Sequence, residues 1–156
     1  WSNVESAATT ALEYGAPARV PGTAIKFYPE GSFLFAELPS GRRIAYAMAR
    51  LEGSRIKYEG KDQAKASFTT LDTYGGKLTE NLVQATARDV LGEAMLRLEE
   101  LGFKIVAHVH DEAIIDVPKG TTTVEDINEI MSINPKWTEG LPLAAAGFES
   151  EYYMKD

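Results

Sequence analysis

The chain has 156 residues, of which 44% are hydrophobic and 25% are charged, a composition typical of one soluble globular domain with a sizeable core. It contains no cysteine, which excludes disulfides, thiolate zinc sites and cysteine nucleophiles. The net charge of −7 argues against a surface that binds phosphates throughout. Because no apolar run reaches about 18 residues and no signal peptide is visible, we expect a cytoplasmic protein without a membrane partner.

A short helix and an antiparallel meander are predicted for the first part of the chain. Ser2 or Asn3 can cap the helix and Gly15 can end it. Its apolar residues recur at helical spacing: Val4, Ala7, Ala8, Ala11 and Leu12. Four strand-like runs follow, at 24–28, 33–38, 42–48 and 54–58. Segment 60–76 is polar and less regular, and it ends in Gly75 and Gly76, which allow a close backbone approach or a positive φ.

Charge is segregated along the chain. Residues 42–65 hold seven basic residues against three acidic ones, whereas the part from Asp111 to the end holds ten acidic residues against three lysines. Such blocks are compatible with two interpretations. One is an ordinary solvated surface, and the other is a nucleic-acid-facing arm joined to an acidic half that holds metal.

The segment 77–101 carries the clearest helical pattern, and Gly102 is predicted to end it. An apolar stripe recurs at spacings of three and four: Val83, Ala87, Val90, Leu91, Ala94, Leu98 and Leu101. The opposite face carries a polar row at similar spacing: Lys77, Asn81, Gln84 and Arg88. This row is either a solvated face or a surface whose donors contact phosphates and base edges.

A β-hairpin with an acidic tip is predicted after this helix. Two apolar runs, 105–109 and 113–117, meet at His110-Asp111-Glu112. Magnesium prefers such oxygen ligands and is often held by one or two carboxylates plus substrate phosphates. One aspartate is an incomplete site, and a two-metal centre normally needs a second from another strand. No other aspartate follows an apolar strand in the required way.

A second helix, at 124–132, and a last strand, at 143–153, are predicted for the end of the chain. One of the threonines 121–123 caps that helix, and Glu125 and Asp126 complement its dipole. The whole pattern predicts an α+β fold in which antiparallel strands and hairpins pack with one long helix.

Two further functions fit parts of this pattern. His108 and His110 lie two residues apart on a predicted strand, as metal-ligand pairs do in some hydrolases, although no third histidine is present. The basic meander alone would suit a noncatalytic nucleic-acid-binding module. Serine hydrolase chemistry is disfavoured because no Gly-x-Ser-x-Gly elbow occurs.

Two strings of residues carry a family resemblance. The first runs Tyr74-Gly75-Gly76-Lys77-Leu78-Thr79-Glu80-Asn81-Leu82-Val83-Gln84-Ala85-Thr86-Ala87-Arg88-Asp89, and the second is His108-Val109-His110-Asp111-Glu112. Together they closely resemble the C-terminal palm of family A DNA polymerases, which are DNA polymerase I-like, and the phage-type branch is nearest. Weaker support comes from Leu38-Pro39-Ser40-Gly41-Arg42, Pro135-Lys136-Trp137 and Gly140-Leu141-Pro142-Leu143.

The resemblance implies roles for individual residues. Asp111 matches the second catalytic aspartate, which ligates the Mg²⁺ ions, and Glu112 matches its accessory acid. His110 would lie near the primer terminus. Gln84 matches the glutamine that reads the minor groove near the new base pair. Asn81, Arg88 and Lys77 would be its DNA-facing neighbours.

The resemblance also implies partners and a missing part. The partners would be primer-template DNA, a deoxynucleoside triphosphate and the remaining polymerase domains. The family's first palm aspartate, in a motif of the type Asp-x-Ser-x-x-Glu, and its fingers helix are both absent from this sequence. Since the chain also begins at Trp1, we expect 1–156 to be a single C-terminal palm portion, with an edge of the fingers, cut from a longer protein. Its two-metal site would be incomplete and the isolated chain inactive.

Overall fold

The α+β class predicted from the sequence is confirmed. The computed structural model describes residues 1–62 and 67–154. It shows a six-stranded antiparallel sheet, a two-stranded sheet and three α-helices, one of them long. The chain divides into two compact units, Trp1–Thr86 and Ala87–Asp156, which are described separately below. Within the described residues, no helix has the length and apolar character needed to cross a membrane.

The first unit contains the predicted meander, with more strands than the sequence indicated. Helix α1, Ser2–Tyr14, precedes six strands in which each pairs with the next: β1 Ala18–Arg19, β2 Lys26–Glu30, β3 Phe33–Glu37, β4 Arg43–Glu52, β5 Arg55–Asp62 and β6 Ser67–Thr73. The irregular structure predicted for 60–76 is therefore wrong at 60–62 and 67–73, while residues 63–66 of that segment lie outside the described residues. Serine and threonine make the β6 segment polar, but it pairs in register with β5 from Ile56↔Thr73 to Asp62↔Ser67. Threonine is β-branched and suits a strand.

Helix α1 covers this sheet through small side chains. Val4, Ala7, Ala8 and Ala11 are buried, as are Phe27 and Leu34 of the sheet. Alanine lets the helix approach the strands closely. The predicted N-caps are wrong, because Trp1 is the cap residue, and its carbonyl accepts the backbone N–H of Glu5 at 2.9 Å without a side-chain cap. Gly15 ends the helix with φ 62°, as predicted.

The long helix α2, Gly75–Glu100, runs through the boundary between the units. Leu78 and Leu82 are buried in the core of the first unit, and the α2 residues that are buried in the second unit are Leu91, Ala94 and Leu98. The predicted apolar stripe is wrong at Val83 and Leu101, which are 61% and 62% exposed, and at Ala87, which is also exposed. The stripe of the first half lies one position earlier, on the leucines. Gly102 follows the helix with φ 87°, as predicted.

The second unit contains the predicted hairpin and the predicted third helix. Strands β7, Lys104–Val109, and β8, Glu112–Asp116, form the two-stranded sheet. Helix α3, Val124–Met131, begins with a capping box between Thr123 and Asp126, which confirms the threonine cap. The strand predicted at 143–153 is wrong, because this segment has no regular structure and pairs with no strand in the part of the chain that is described.

The backbone at Gly75 lies close to the first turn of α1. Neither Gly75 nor Gly76 has a positive φ. A Cβ added at Gly75 would lie 2.7 Å from the carbonyl oxygen of Trp1 and 2.9 Å from Oε2 of Glu5. The start of α2 therefore fits against the first turn of α1 only because residue 75 lacks a side chain.

Gly75→Ala is expected to lower the free energy of unfolding by about 1–3 kcal/mol, because the new methyl group must displace backbone. Gly92→Ala in the same helix is the control, since a Cβ there has nothing within 4 Å. It should stabilise the protein by about 0.5–1 kcal/mol. Urea unfolding of both variants measures the difference, and equal stabilities would contradict the close approach.

Candidate functional site

The acidic tip lies at a tight turn between β7 and β8. Val109 pairs with Glu112, so His110 and Asp111 form a two-residue turn. His110 has φ 53°, a left-handed conformation that histidine adopts more often than most residues. Both turn residues are exposed and Glu112 is half-buried. Because His110 lies in the turn and His108 lies on β7, the predicted arrangement of the two histidines on one strand face is wrong.

The carboxylates at this tip suit a divalent cation in type but not in number. Asp111 and Glu112 provide the hard oxygen donors that Mg²⁺ prefers. Among residues 1–62 and 67–154, no three histidine, aspartate or glutamate side chains are grouped so as to hold a metal ion. Two carboxylates are fewer donors than a complete metal site needs, so a metal ion at this tip would need further ligands.

Arg88 of α2 contacts His108 of β7, both within the second unit. Nη1 of Arg88 lies 3.3 Å from Nδ1, and Nη2 lies 3.4 Å from Nε2 of the imidazole. A neutral imidazole has one acceptor nitrogen, so at most one of these contacts is a hydrogen bond. His108 is exposed and restrains an arginine of the predicted polar row. Sequence reasoning missed this pair, which is 20 residues apart in the chain.

The polar row of α2 is uneven in exposure. Lys77, Gln84 and Arg88 are exposed, whereas Asn81 is half-buried. Nδ2 of Asn81 donates to the hydroxyl of Tyr46 on β4 at 3.2 Å. Tyr46 is 3% exposed. Burial raises the pKa of its hydroxyl, and the hydrogen bond with Asn81 opposes that effect less strongly.

Arg42 is a second residue that sequence reasoning did not connect with this row. Its Nη2 donates to the backbone carbonyl of Ala85 at 2.8 Å, so an arginine that precedes β4 reaches the helix beside Gln84. The polar face of α2 therefore includes a cation supplied by another element of the first unit.

The basic segment 42–65 is largely paired with acids on the sheet. Arg50 contacts both Glu52 at 2.9 Å and Glu59 at 3.2 Å, and Lys57 contacts Glu52 at 2.7 Å. Hydrogen bonds from Lys57 and Arg50 lower the pKa of Glu52. Such exposed pairs add little stability, but they neutralise the local positive charge. Lys65 lies outside the described residues.

The segment that follows α3 is fastened to α2. Nε1 of Trp137 donates to Oε1 of Glu93 at 2.5 Å, and Nη2 of Arg97 donates to the carbonyl of Ile133 at 2.8 Å. Pro135 is buried beside these contacts in the chain. The string Pro135-Lys136-Trp137 therefore has a structural role in the second unit.

Comparison with known proteins supports part of the resemblance. The chain is 44% identical to a protein named DNA polymerase from Bacillus phage SP02, over an alignment of 162 positions that covers 100% of this chain. The chain spans only 25% of the length of that relative. No protein-family model matches the chain, and no solved structure matches it. The chain is thus similar along its whole length to one part of a phage DNA polymerase.

Metal titration of the chain distinguishes the hydrolase hypothesis from the others. We expect weak Mg²⁺ binding that Asp111→Asn reduces further, because the tip supplies few ligands. Zn²⁺ should not bind tightly, since His108 and His110 have no partners that would complete a site among residues 1–62 and 67–154. Isothermal titration calorimetry measures both. Tight Zn²⁺ binding that His108→Ala abolishes would favour a metal hydrolase instead.

Proposed function

We propose that this chain is the C-terminal palm portion, with an edge of the fingers, of a template-directed DNA polymerase of family A and of the phage-type, DNA polymerase I-like branch. The observation that carries the proposal is the 44% identity, along the whole chain, to a phage DNA polymerase. The parent protein would join a deoxynucleotide to a primer 3′-hydroxyl on a DNA template and release pyrophosphate.

The hairpin tip is proposed as this chain's share of the catalytic centre. Asp111 and Glu112 would hold Mg²⁺, which in such sites stabilises the charge on the attacking and leaving oxygens. Exposure of Asp111 at the turn makes its carboxylate accessible to nucleotide and primer. His110, the other turn residue, would lie near the primer terminus. The tight turn sets the backbone position of both residues between β7 and β8.

The polar row of α2 is proposed as the DNA-facing surface. Gln84 is exposed and would donate to minor-groove acceptors near the new base pair. Lys77 and Arg88 would contact phosphates, which positions the duplex without reading its sequence. His108 restrains the Arg88 guanidinium, so less conformational entropy is lost when it binds a phosphate. Asn81 completes the row.

The noncatalytic nucleic-acid-binding module is less well supported. It depended on the positive charge of 42–65, and much of that charge is paired with Glu52, Glu59, Asp72 and Glu30. The proposed polymerase role instead uses the hairpin tip and the α2 row. Primer-template DNA, the nucleotide and the remaining polymerase domains are the proposed partners.

Asp111→Asn in the full-length parent is expected to abolish most turnover while DNA binding is retained. A bound metal contributes several kcal/mol to the transition state, and each 1.36 kcal/mol is tenfold in rate, so a loss of about 10³-fold is expected. Asp116→Asn is the matched control, because Asp116 is an exposed acid at the other end of β8. Primer extension and a DNA-binding assay measure both effects. Unchanged turnover in Asp111→Asn would exclude the proposed role.

The isolated 156-residue chain is expected to make no primer-extension product. It supplies one aspartate of a two-metal site and no fingers helix, so the ions and the triphosphate lack half of their ligands. Incubation with Mg²⁺, primer-template and all four nucleotides tests this. Template-dependent product from the pure chain would show that a complete site exists within it.

A further inference from the structure

Tyr46 is a buried titratable residue to which the proposed mechanism gives no role. It lies on β4 with 3% of its surface exposed, and its ring packs edge-on against Tyr58 with the centroids 5.2 Å apart. Its hydroxyl reaches the polar face of α2, where it lies 3.2 Å from the side-chain amide of Asn81. A core residue of the sheet thus contacts a residue of the proposed DNA-facing row.

The chemistry of the pair decides which atom of Asn81 faces the tyrosine. Rotation of an asparagine amide by 180° exchanges its oxygen and nitrogen, so the assignment follows from the hydrogen-bond network. Burial raises the pKa of the Tyr46 hydroxyl, so it keeps its proton at neutral pH and needs an acceptor. Within residues 1–62 and 67–154, Asn81 is its one hydrogen-bond partner. In the structure Nδ2 of Asn81 faces Tyr46 and donates to its hydroxyl oxygen, an orientation that leaves the hydroxyl proton without an acceptor among the described residues. Rotation of the Asn81 amide by 180° places Oδ1 there instead and provides that acceptor.

We infer that Tyr46 is a positioning residue for DNA binding: its hydroxyl donates to Oδ1 of Asn81, which turns the Asn81 NH₂ group outward as a donor to DNA. This inference rests on the proposed function. Minor-groove edges offer acceptors, A N3 and T O2 among them. A fixed donor therefore fits that groove better than an amide that is free to rotate. Tyr46 does not touch the DNA and acts through Asn81.

Tyr46→Phe tests the inference in the full-length polymerase, since it removes the hydroxyl and keeps the ring. We expect the KM for primer-template to rise roughly three- to tenfold, with kcat within about twofold, because one positioned hydrogen bond is lost on binding. Asn81→Ala should raise KM similarly, and the double variant should add nothing further. Tyr58→Phe is the control, because the Tyr58 hydroxyl makes no hydrogen bond in the described part of the chain. The KM of the Tyr58→Phe variant for primer-template should not change.

The outcomes separate the two proposals. If Asn81→Ala raises KM but Tyr46→Phe does not, or if their effects are additive, the positioning role is overturned and the DNA-facing row stands. If Asn81→Ala and Gln84→Ala both leave KM unchanged, the row itself is wrong and the positioning role falls with it.

NMR of the unmodified chain provides a test that does not depend on the folding of variants. The Tyr46 hydroxyl proton should be protected from exchange, while the Asn81 amide protons exchange at the rate of an exposed asparagine. A protected Asn81 amide beside a rapidly exchanging Tyr46 hydroxyl would overturn the inference.

Discussion

Helix α2 imposes the constraint on which the rest of the structure depends. It buries Leu78 and Leu82 in the first unit, and Leu91 and Leu98 are buried in the second. In each half of α2, the exposed residues therefore lie on the side of the helix away from these leucines. In each unit, the part of α2 that belongs to it cannot rotate about the helix axis without exposing its buried leucines. Burial of these leucines thus sets which way Lys77, Gln84 and Arg88 face. Exposing one large apolar side chain costs roughly 1.5–3 kcal/mol.

Local sequence patterns predicted the parts of the fold that depend on neighbours in the chain. Two apolar runs and a polar turn between them were sufficient for the β7–β8 hairpin, and threonines before an acidic first turn were sufficient for the start of α3. The strand at 143–153 failed because a strand needs a partner edge as well as a suitable pattern. Strand β6 was missed for the opposite reason, since pairing with β5 overrides the polarity of its serine and threonines.

The candidate site likewise contains residues that local sequence patterns predicted and residues whose contacts depend on distant parts of the chain. Sequence and resemblance pointed to Asp111, Glu112 and His110 because they are adjacent in the chain, and to the α2 row because its spacing is helical. Their roles remain proposals. The side chains that contact the row, Tyr46 and His108, are 35 and 20 residues from their partners. No local periodicity marks such pairs. Arg42 is similar, because its bond to the Ala85 carbonyl depends on where β4 lies against α2.

The contact between Gly75 and the first turn of α1 has a consequence for the order of folding. Trp1 and Glu5 meet the start of α2 only after the intervening meander has brought the two helices together. Closing so long a loop costs chain entropy before any contact compensates for it, so the first turn of α2 belongs to the slow, non-local part of assembly. The β7–β8 hairpin, closed by two residues, belongs to the fast part. The acidic tip can thus take its local shape before the helix start is fixed.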